Sequence, residues 1–376
     1  MSDHAQPTAL SHIRQQIDDI DAQVLKLLNQ RAQCAQQVAE IKQAQLAQSP
    51  QNSETDATPA IKFYRPEREA QILRRMMAEN TGPLQSSQIT RIYREIISSC
   101  LSLEETLRIA FLGPEGTFTQ AAVHKHFGHA VNTLPCEAID VVFREVEAGQ
   151  AHYGIVPIEN STEGVVTHTL DTFLDSDLQI CGEVHLPIHQ NLMGQNNDWQ
   201  RAKRVYSHQQ SLAQCRKWLD SHLPHAERIA VNSNAEAAYR VSQESDTVAI
   251  AGQQAAEVYG LKVVQMNIED QPNNTTRFLI IGDQKVAPSG SDKTSLLVSA
   301  SNRPGSLYQL LQPLAQNNLD MTRIESRPSR CKNWEYVFFL DVKGHEADEG
   351  VHNALTALQQ EAEFVRVLGS YPSAVA

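Results

Sequence analysis

The 376-residue sequence lacks several features that would place a protein at once, and each absence excludes something. No apolar run approaches the length of a membrane span. Met1 to Leu10 carries neither a basic n-region nor an apolar h-region, so no signal peptide is expected. The six cysteines, at 34, 100, 136, 181, 215 and 331, are scattered and form no CxxC pair. That pattern points to reduced thiols in the cytoplasm rather than a disulfide framework or a zinc site. His124, His126, His129, His185 and His189 have no Asp/Glu/Cys cluster at ligand spacing, so no metal is expected. The sequons Asn160-Ser161-Thr162 and Asn274-Thr275-Thr276 are then chance matches. GxGxxG is missing, so nothing implies a nucleotide, and no cofactor is expected. GxSxG is missing too, which argues against Ser207 and His208 as a nucleophile and its base. The excess of basic charge that nucleic acid or anionic lipid demands is also absent: the formal net charge is −12. An anionic small molecule must therefore be caught by local clusters of donors.

What is present fits a soluble globular chain of two or three domains, with 41% apolar and 20% charged residues. Near the N-terminus, Ile13, Ile17, Ile20, Val24, Leu27, Cys34, Val38 and Ile41 recur at a spacing of three to four. This predicts one long helix with a narrow seam, which demands a partner helix. Arg31 falls on that seam, and Lys42 lies eleven residues on, about 16 Å along the same face. The pair can reach one small dianion held between helices; Arg31 alone can equally set register or snorkel to water. From Gln43 to Ile61 the composition reads as a flexible polar insertion. Pro66 then opens a second helix running to about Glu79, and a third follows over roughly Ser87 to Leu103.

Arg14, Arg31, Lys42, Arg68 and Glu69 on three such helices resemble the all-helical chorismate mutase family. The resemblance implies an intertwined homodimer in which each active site borrows an arginine from the other chain. On that basis Arg14 is the borrowed residue, and Arg31 and Arg68 bind the substrate carboxylates with it. Lys42 faces the ether oxygen, Glu69 holds a substrate hydroxyl, and Glu104 stands where the family has an ether-oxygen donor, a glutamine. Arg65 and Cys100 also depart from some members.

From Leu107 onward, short apolar runs alternate with helical stretches, which predicts open sheets with a ligand cleft at their strand ends. Arg108–Leu112, Thr247–Ala251 and Arg277–Ile281 read as strands and Ile139–Glu147 as a helix. The stretch Gly154-Ile155-Val156-Pro157-Ile158-Glu159-Asn160-Ser161-Thr162-Glu163-Gly164 reads as a buried strand feeding a hydrogen-bonding loop. Asn, Ser and Thr there can donate to carboxylate oxygens, and Gly164 is expected to allow close backbone approach. With Ser207 to Cys215 and Asn274-Thr275-Thr276-Arg277-Phe278, this stretch resembles prephenate dehydratase. The resemblance implies two α/β subdomains of periplasmic-binding-protein type with substrate between them. It makes Thr276 the catalytic hydroxyl, with Asn160, Ser161, Thr162, Ser207, Gln214 and Arg277 binding substrate and Phe278 forming an apolar wall.

Val286 to Asp292 reads as a linker. A strand, helix, two strands (the second from Trp334), helix and strand complete the β-α-β-β-α-β order of a ferredoxin-like domain. Met321-Thr322-Arg323-Ile324-Glu325-Ser326-Arg327-Pro328 resembles the regulatory motif of phenylalanine-sensing ACT domains, and Arg303-Pro304-Gly305-Ser306-Leu307 their effector loop. The resemblance implies that Gly305, Ser306, Leu307, Glu325, Ser326, Arg327 and Pro328 bind L-phenylalanine, although pattern alone leaves a plain dimerisation domain open.

The whole reads as an all-α module (8–105), a two-subdomain α/β domain (106–285) and an α+β ACT domain (293–376). The expected ligands are chorismate, prephenate and L-phenylalanine, in a homodimer or higher homo-oligomer without nucleic-acid or membrane partners. The rival reading is a non-catalytic amino-acid sensor, a binding-protein-like cleft on a helical dimerisation arm. It gives no reason for Arg31 on an apolar seam.

Overall fold

The computed structural model describes residues 9–48, 62–299, 303–329 and 336–375. The polar stretch 49–61, Cys331 and the expected strand start at Trp334 lie outside the described residues.

Three helices form the N-terminal unit: α1 (Ala9–Gln48), α2 (Pro66–Glu79) and α3 (Ser86–Leu101). The insertion expected from Gln43 is helical as far as Gln48, because α1 continues past its last apolar seam position. The seam residues Ile13, Ile17, Ile20, Val24 and Leu27 are about half exposed or more along a helix that their own chain leaves uncovered. At the other end of the unit, Tyr64 is buried and bonds His126 at 3.0 Å. It sits within the apolar core of the next domain beside Phe127 and Tyr153, so the helical unit is anchored rather than tethered.

The central domain has two lobes. The first contains β1 (Arg108–Leu112), α4 (Phe118–Phe127), β2 (Asn132–Cys136), α5 (Ile139–Glu147), β3 (Tyr153–Asn160), β4 (Gly164–Val165), α6 (Thr167–Asp175) and β5 (Gln179–Pro187). The second contains β6 (Asn191–Gly194), β7 (Arg204–His208), α7 (Gln209–Gln214), α8 (Arg216–His222), β8 (Glu227–Val231), α9 (Asn234–Gln243), β9 (Thr247–Ala251), α10 (Gln253–Tyr259) and β10 (Lys262–Gln265). The chain then returns to the first lobe as β11 (Thr275–Gly282). The sheet orders are β2-β1-β3-β11-β5, with β4 on β3, and β10-β6-β9-β7-β8. Because β11 lies between β3 and β5, it sets Thr276 opposite Asn160, two motifs more than a hundred residues apart in sequence.

The last domain is β12 (Asp292–Ser299), α11 (Ser306–Gln316), β13 (Met321–Pro328), β14 (Tyr336–Lys343), α12 (Glu349–Glu361) and β15 (Phe364–Pro372). Its sheet, ordered β13-β14-β12-β15, is antiparallel, as the β-α-β-β-α-β pattern requires. One face packs on α11 and α12, while Leu297, Val337, Phe339, Leu368 and Tyr371 join the core of the first central lobe. The segment before it is no slack linker. Asp292 accepts from the Ser289 hydroxyl and from two backbone N–H groups, and Arg74 of α2 donates to Ser289 and Ser291. Polar, Gly-containing sequence concealed this, since its order comes from long-range partners.

Two candidate active sites

The first site is a groove of about 510 Å³ between the three helices. Arg31 and Lys42 reach it from the seam face of α1, Arg68 and Glu69 from the first turn of α2, and Glu104 from the turn after α3. Arg31, Lys42, Arg65, Arg68 and Arg75 oppose only Glu69 and Glu104, so the lining suits a small dianion. Cys34, Val38, Ile72 and Ile97 add apolar wall.

Both carboxyls are tuned. Burial pushes Glu69 up to about 7, against the lowering pull of Arg94 and Arg31. Burial likewise raises Glu104, against Lys42 and Arg31. The sequence left that contest open; desolvation wins. Arg94, on α3 and 3.6 Å from Glu69, was missed. Its only sequence signal is an arginine beside Tyr93 on a helix otherwise ruled by its isoleucines.

Arg14 is not in this groove. It lies seventeen residues before Arg31 on one straight helix, about 25 Å away. It is exposed, next to the seam residues Ile13 and Ile17.

The second site is a cleft of about 530 Å³ between the central lobes. Thr276, the second residue of β11, lines it and is 8% exposed. Its Oγ accepts a hydrogen bond from Asn160 Nδ2 at 2.8 Å. Asn160 is fixed in that orientation because its Oδ1 accepts from the backbone N–H groups of Thr162 (2.9 Å) and Glu163 (3.0 Å). With the amide donating, the Thr276 hydroxyl proton is free to point into the cleft. Gly164 turns the loop back at φ +84°, and a Cβ there would meet nothing within 4 Å. Its glycine therefore serves the left-handed backbone, and the residue lines the cleft.

The opposite lobe contributes Gln214, whose Oε1 accepts from Gln190 at 3.2 Å and whose Nε2 lies 3.4 Å from Glu163. His208, Gln210, Ser211 and Asn234 line the same wall. No lysine or arginine lines this cleft among the described residues; its side-chain donors are amides, hydroxyls and His208, and Glu137 and Glu163 also line it.

Several expected ligands sit elsewhere. Ser207 is fully buried, and its hydroxyl is shared between Asn234 Oδ1 and Ile250 O, so it orients Asn234 instead of meeting substrate. The same burial removes it as a nucleophile. Ser161 lies outside the cleft lining, accepting from Thr275 N and bridging towards Asn273. Thr162 is exposed and contributes its backbone. Phe278 does not wall the cleft: a register shift after Arg277 turns it into the core beside Ile109 and Ile155. Arg277 points away as well, donating to Glu183 (2.8 Å), Asp341 (2.6 Å) and Tyr371 (3.1 Å) at the junction with the last domain.

In the last domain, Gly305, Ser306 and Leu307 open α11, whereas Glu325, Ser326, Arg327 and Pro328 lie on the edge strand β13. Arg327 is committed to a two-pronged bond with Asp171 of α6, at 2.8 and 2.9 Å. In the described chain it serves domain docking. No His/Cys/Asp/Glu grouping able to hold a metal occurs among the described residues. No helix among them is long and apolar enough to cross a membrane.

A cation-rich groove among helices, a cleft without lysine or arginine between two α/β lobes and an appended α+β sheet define an enzyme with two reaction sites and a regulatory domain. Three family models match in that order: chorismate mutase type II over residues 13–105, prephenate dehydratase over 109–286, and the ACT domain over 294–360. A bifunctional chorismate mutase/prephenate dehydratase of Stutzerimonas stutzeri is 54% identical across 97% of this chain and 98% of its own. One from Pseudomonas aeruginosa is 53% identical over the same shares. Among solved structures, a prephenate dehydratase from Arthrobacter aurescens in complex with L-Phe is 35% identical, with a TM-score of 0.66 over 71% of this chain and 90% of that one.

The chain belongs to the bifunctional chorismate mutase/prephenate dehydratase family. It is an enzyme of phenylalanine biosynthesis, an isomerase and a carbon–oxygen lyase in one polypeptide, and the reading as a sensor without turnover is set aside.

Proposed function

We propose that the helical groove rearranges chorismate to prephenate and that the interlobe cleft converts prephenate to phenylpyruvate. The domain limits in this reading are 8–105, 106–285 and 293–376. The observation that carries it is the contrast in lining: cations around the groove, and a locked Asn160–Thr276 pair in a cleft without cations.

In the groove the reaction is a pericyclic shift, in which a carbon–oxygen bond breaks as a carbon–carbon bond forms. No proton need move, so the protein supplies positioning and charge. Arg31 and Arg68, with Arg14 of a second copy, bind the two carboxylates. Lys42 and a protonated Glu104 face the ether oxygen where negative charge grows, and Glu69 holds the ring hydroxyl.

In the cleft, prephenate loses carbon dioxide and its ring hydroxyl, and aromatisation drives the step. Thr276 delivers a proton to the departing hydroxyl, directly or through one water, while Asn160 fixes its oxygen. Gln214 and the facing wall hold the side-chain carboxylate with neutral donors. The ring carboxylate is best left without a cation, because an ion pair would stabilise the ground state more than the transition state that sheds the charge.

Regulation in this reading is by L-phenylalanine. The backbone at Gly305–Leu307 holds its carboxylate at the start of α11, and the Glu325–Pro328 segment relays occupancy. The working form is a cytoplasmic homodimer or larger assembly. Supplying chorismate to the full chain and following prephenate and phenylpyruvate together tests the assignment. Thr276→Ala should accumulate prephenate; formation of phenylpyruvate at the native rate would remove Thr276 from the mechanism.

A further inference from the structure

The dehydratase pair and the last domain meet through four charges. In the central sheet, Thr276 is the register partner of Asn160, and Arg277 of Glu159, one residue along both strands. In the last domain, Arg323 is the register partner of Asp341. Two ion pairs join the sheets: Arg277 to Asp341 at 2.6 Å and Arg323 to Glu159 at 3.5 Å. The four form a square of alternating sign, with Asn160 and Thr276 next in chain to two of its corners.

The sides are unequal. Arg277 is tightly held, bonding Glu183 and Tyr371 as well as Asp341, and Lys293 also donates to Glu183. Arg323 is just as buried, yet its Nε and Nη2 have no hydrogen-bond partner. A small gap of about 10 Å³, lined by Arg323, Asp341 and Phe339, adjoins it. A buried guanidinium left short of acceptors is costly, so this corner gains energy from any shift that tightens the pair. Arg323 is carried by β13, which is hydrogen-bonded on one side only.

We propose that Arg323 and Glu159 are positioning residues for the dehydratase step: their ion pair ties the edge strand β13 to the Asn160 end of β3 and so sets the Asn160–Thr276 hydrogen bond. A small displacement of β13 then reaches the proton donor through one charge pair and one peptide unit, with no motion of the lobes required. The inference rests on the assignment of Asn160 and Thr276 to that step.

The mutase groove of the same chain supplies the folding reference. In the full-length enzyme, Arg323→Gln and Glu159→Gln should each lower dehydratase kcat about tenfold, with KM within about twofold and mutase activity intact. The double variant should be no slower than the slower single one, because both remove the same link. Should Arg323→Gln unfold the chain, Glu159→Gln alone retains the test, since its side chain is 42% exposed. Dehydratase kcat within twofold of the native value in Glu159→Gln, or losses that multiply in the double variant, would overturn the coupling. Native dehydratase activity in Thr276→Ala would instead overturn the site assignment on which it rests.

Discussion

The two sites of this chain treat a dianion in opposite ways. The helical groove is lined by five cations against two carboxyls, whereas the lobe cleft has no lysine or arginine and is lined by amides, hydroxyls, His208 and the carboxyls of Glu137 and Glu163. Chemistry accounts for the difference. A rearrangement keeps both carboxylates, so charge–charge binding holds the substrate compact throughout and costs nothing later. A decarboxylation destroys one carboxylate, and strong binding of that group would deepen the well from which the reaction must climb. The sites also differ in completeness. The lining of the cleft comes from one chain, whereas the groove as proposed also needs Arg14 of a second copy, since the chain's own Arg14 stands about 25 Å away along α1.

The sharpest way to test this contrast is to disable one site at a time. Thr276→Ala should reduce dehydratase kcat by a hundredfold or more, on the scale of lost general-acid assistance, while leaving the mutase unchanged. Arg31→Ala should do the reverse, costing the mutase about 3–5 kcal/mol as a desolvated carboxylate loses its partner. Paired assays from chorismate and from prephenate measure both. Loss of both activities in either folded variant would undo the two-site reading.

Completeness has its own test. If Arg14 is donated between chains, Arg14→Ala and Arg31→Ala should each be inactive as mutases. Mixed and reassociated, random pairing gives half heterodimers, each with one intact groove of two, so about a quarter of native activity should return. A mixture as inactive as its parents would mean that Arg14 does not cross between chains.

The sequence was most readable where function imposes a periodic or local pattern. The three-to-four spacing of Ile13 to Ile41 predicted both the long helix and its need for a partner, and α1 carries that seam exposed. Ile139–Glu147 was legible as a helix to its ends. What stayed illegible was direction and long-range partnership. Arg277 and Phe278 follow Thr276 in sequence, yet strand alternation and a register shift send one into the domain junction and the other into the core. Ser207 sits in a signature segment, on β7, but its hydroxyl is taken up by Asn234 and Ile250. Arg94 lay outside every motif, and Arg323 lay within one but was given no role, because what matters about each is a residue on another element.

The smallest expected effect lies within the charged groove and sets its two carboxyls apart. Glu104 and Glu69 are both raised by burial, Glu69 to about 7, with nearby cations opposing. A carboxyl whose pKa is raised keeps its proton to higher pH, so Glu104 can donate to the ether oxygen at low pH and loses that ability as pH rises through its titration. Once ionised it repels the charge growing on that oxygen, and Lys42 must act alone. Mutase kcat should therefore fall severalfold as pH rises, and Glu104→Gln, which donates at every ordinary pH, should flatten the fall. Glu69, raised to about 7, is a second titrating carboxyl in the groove, so the native profile alone cannot assign the step. Subtracting the Glu104→Gln profile isolates Glu104, and Glu69→Gln supplies the complementary difference. Dehydratase activity, measured on the same samples, should follow neither. Superimposable mutase profiles for the native enzyme and Glu104→Gln would remove Glu104 as the donor and leave Lys42 as the groove's only partner for the ether oxygen.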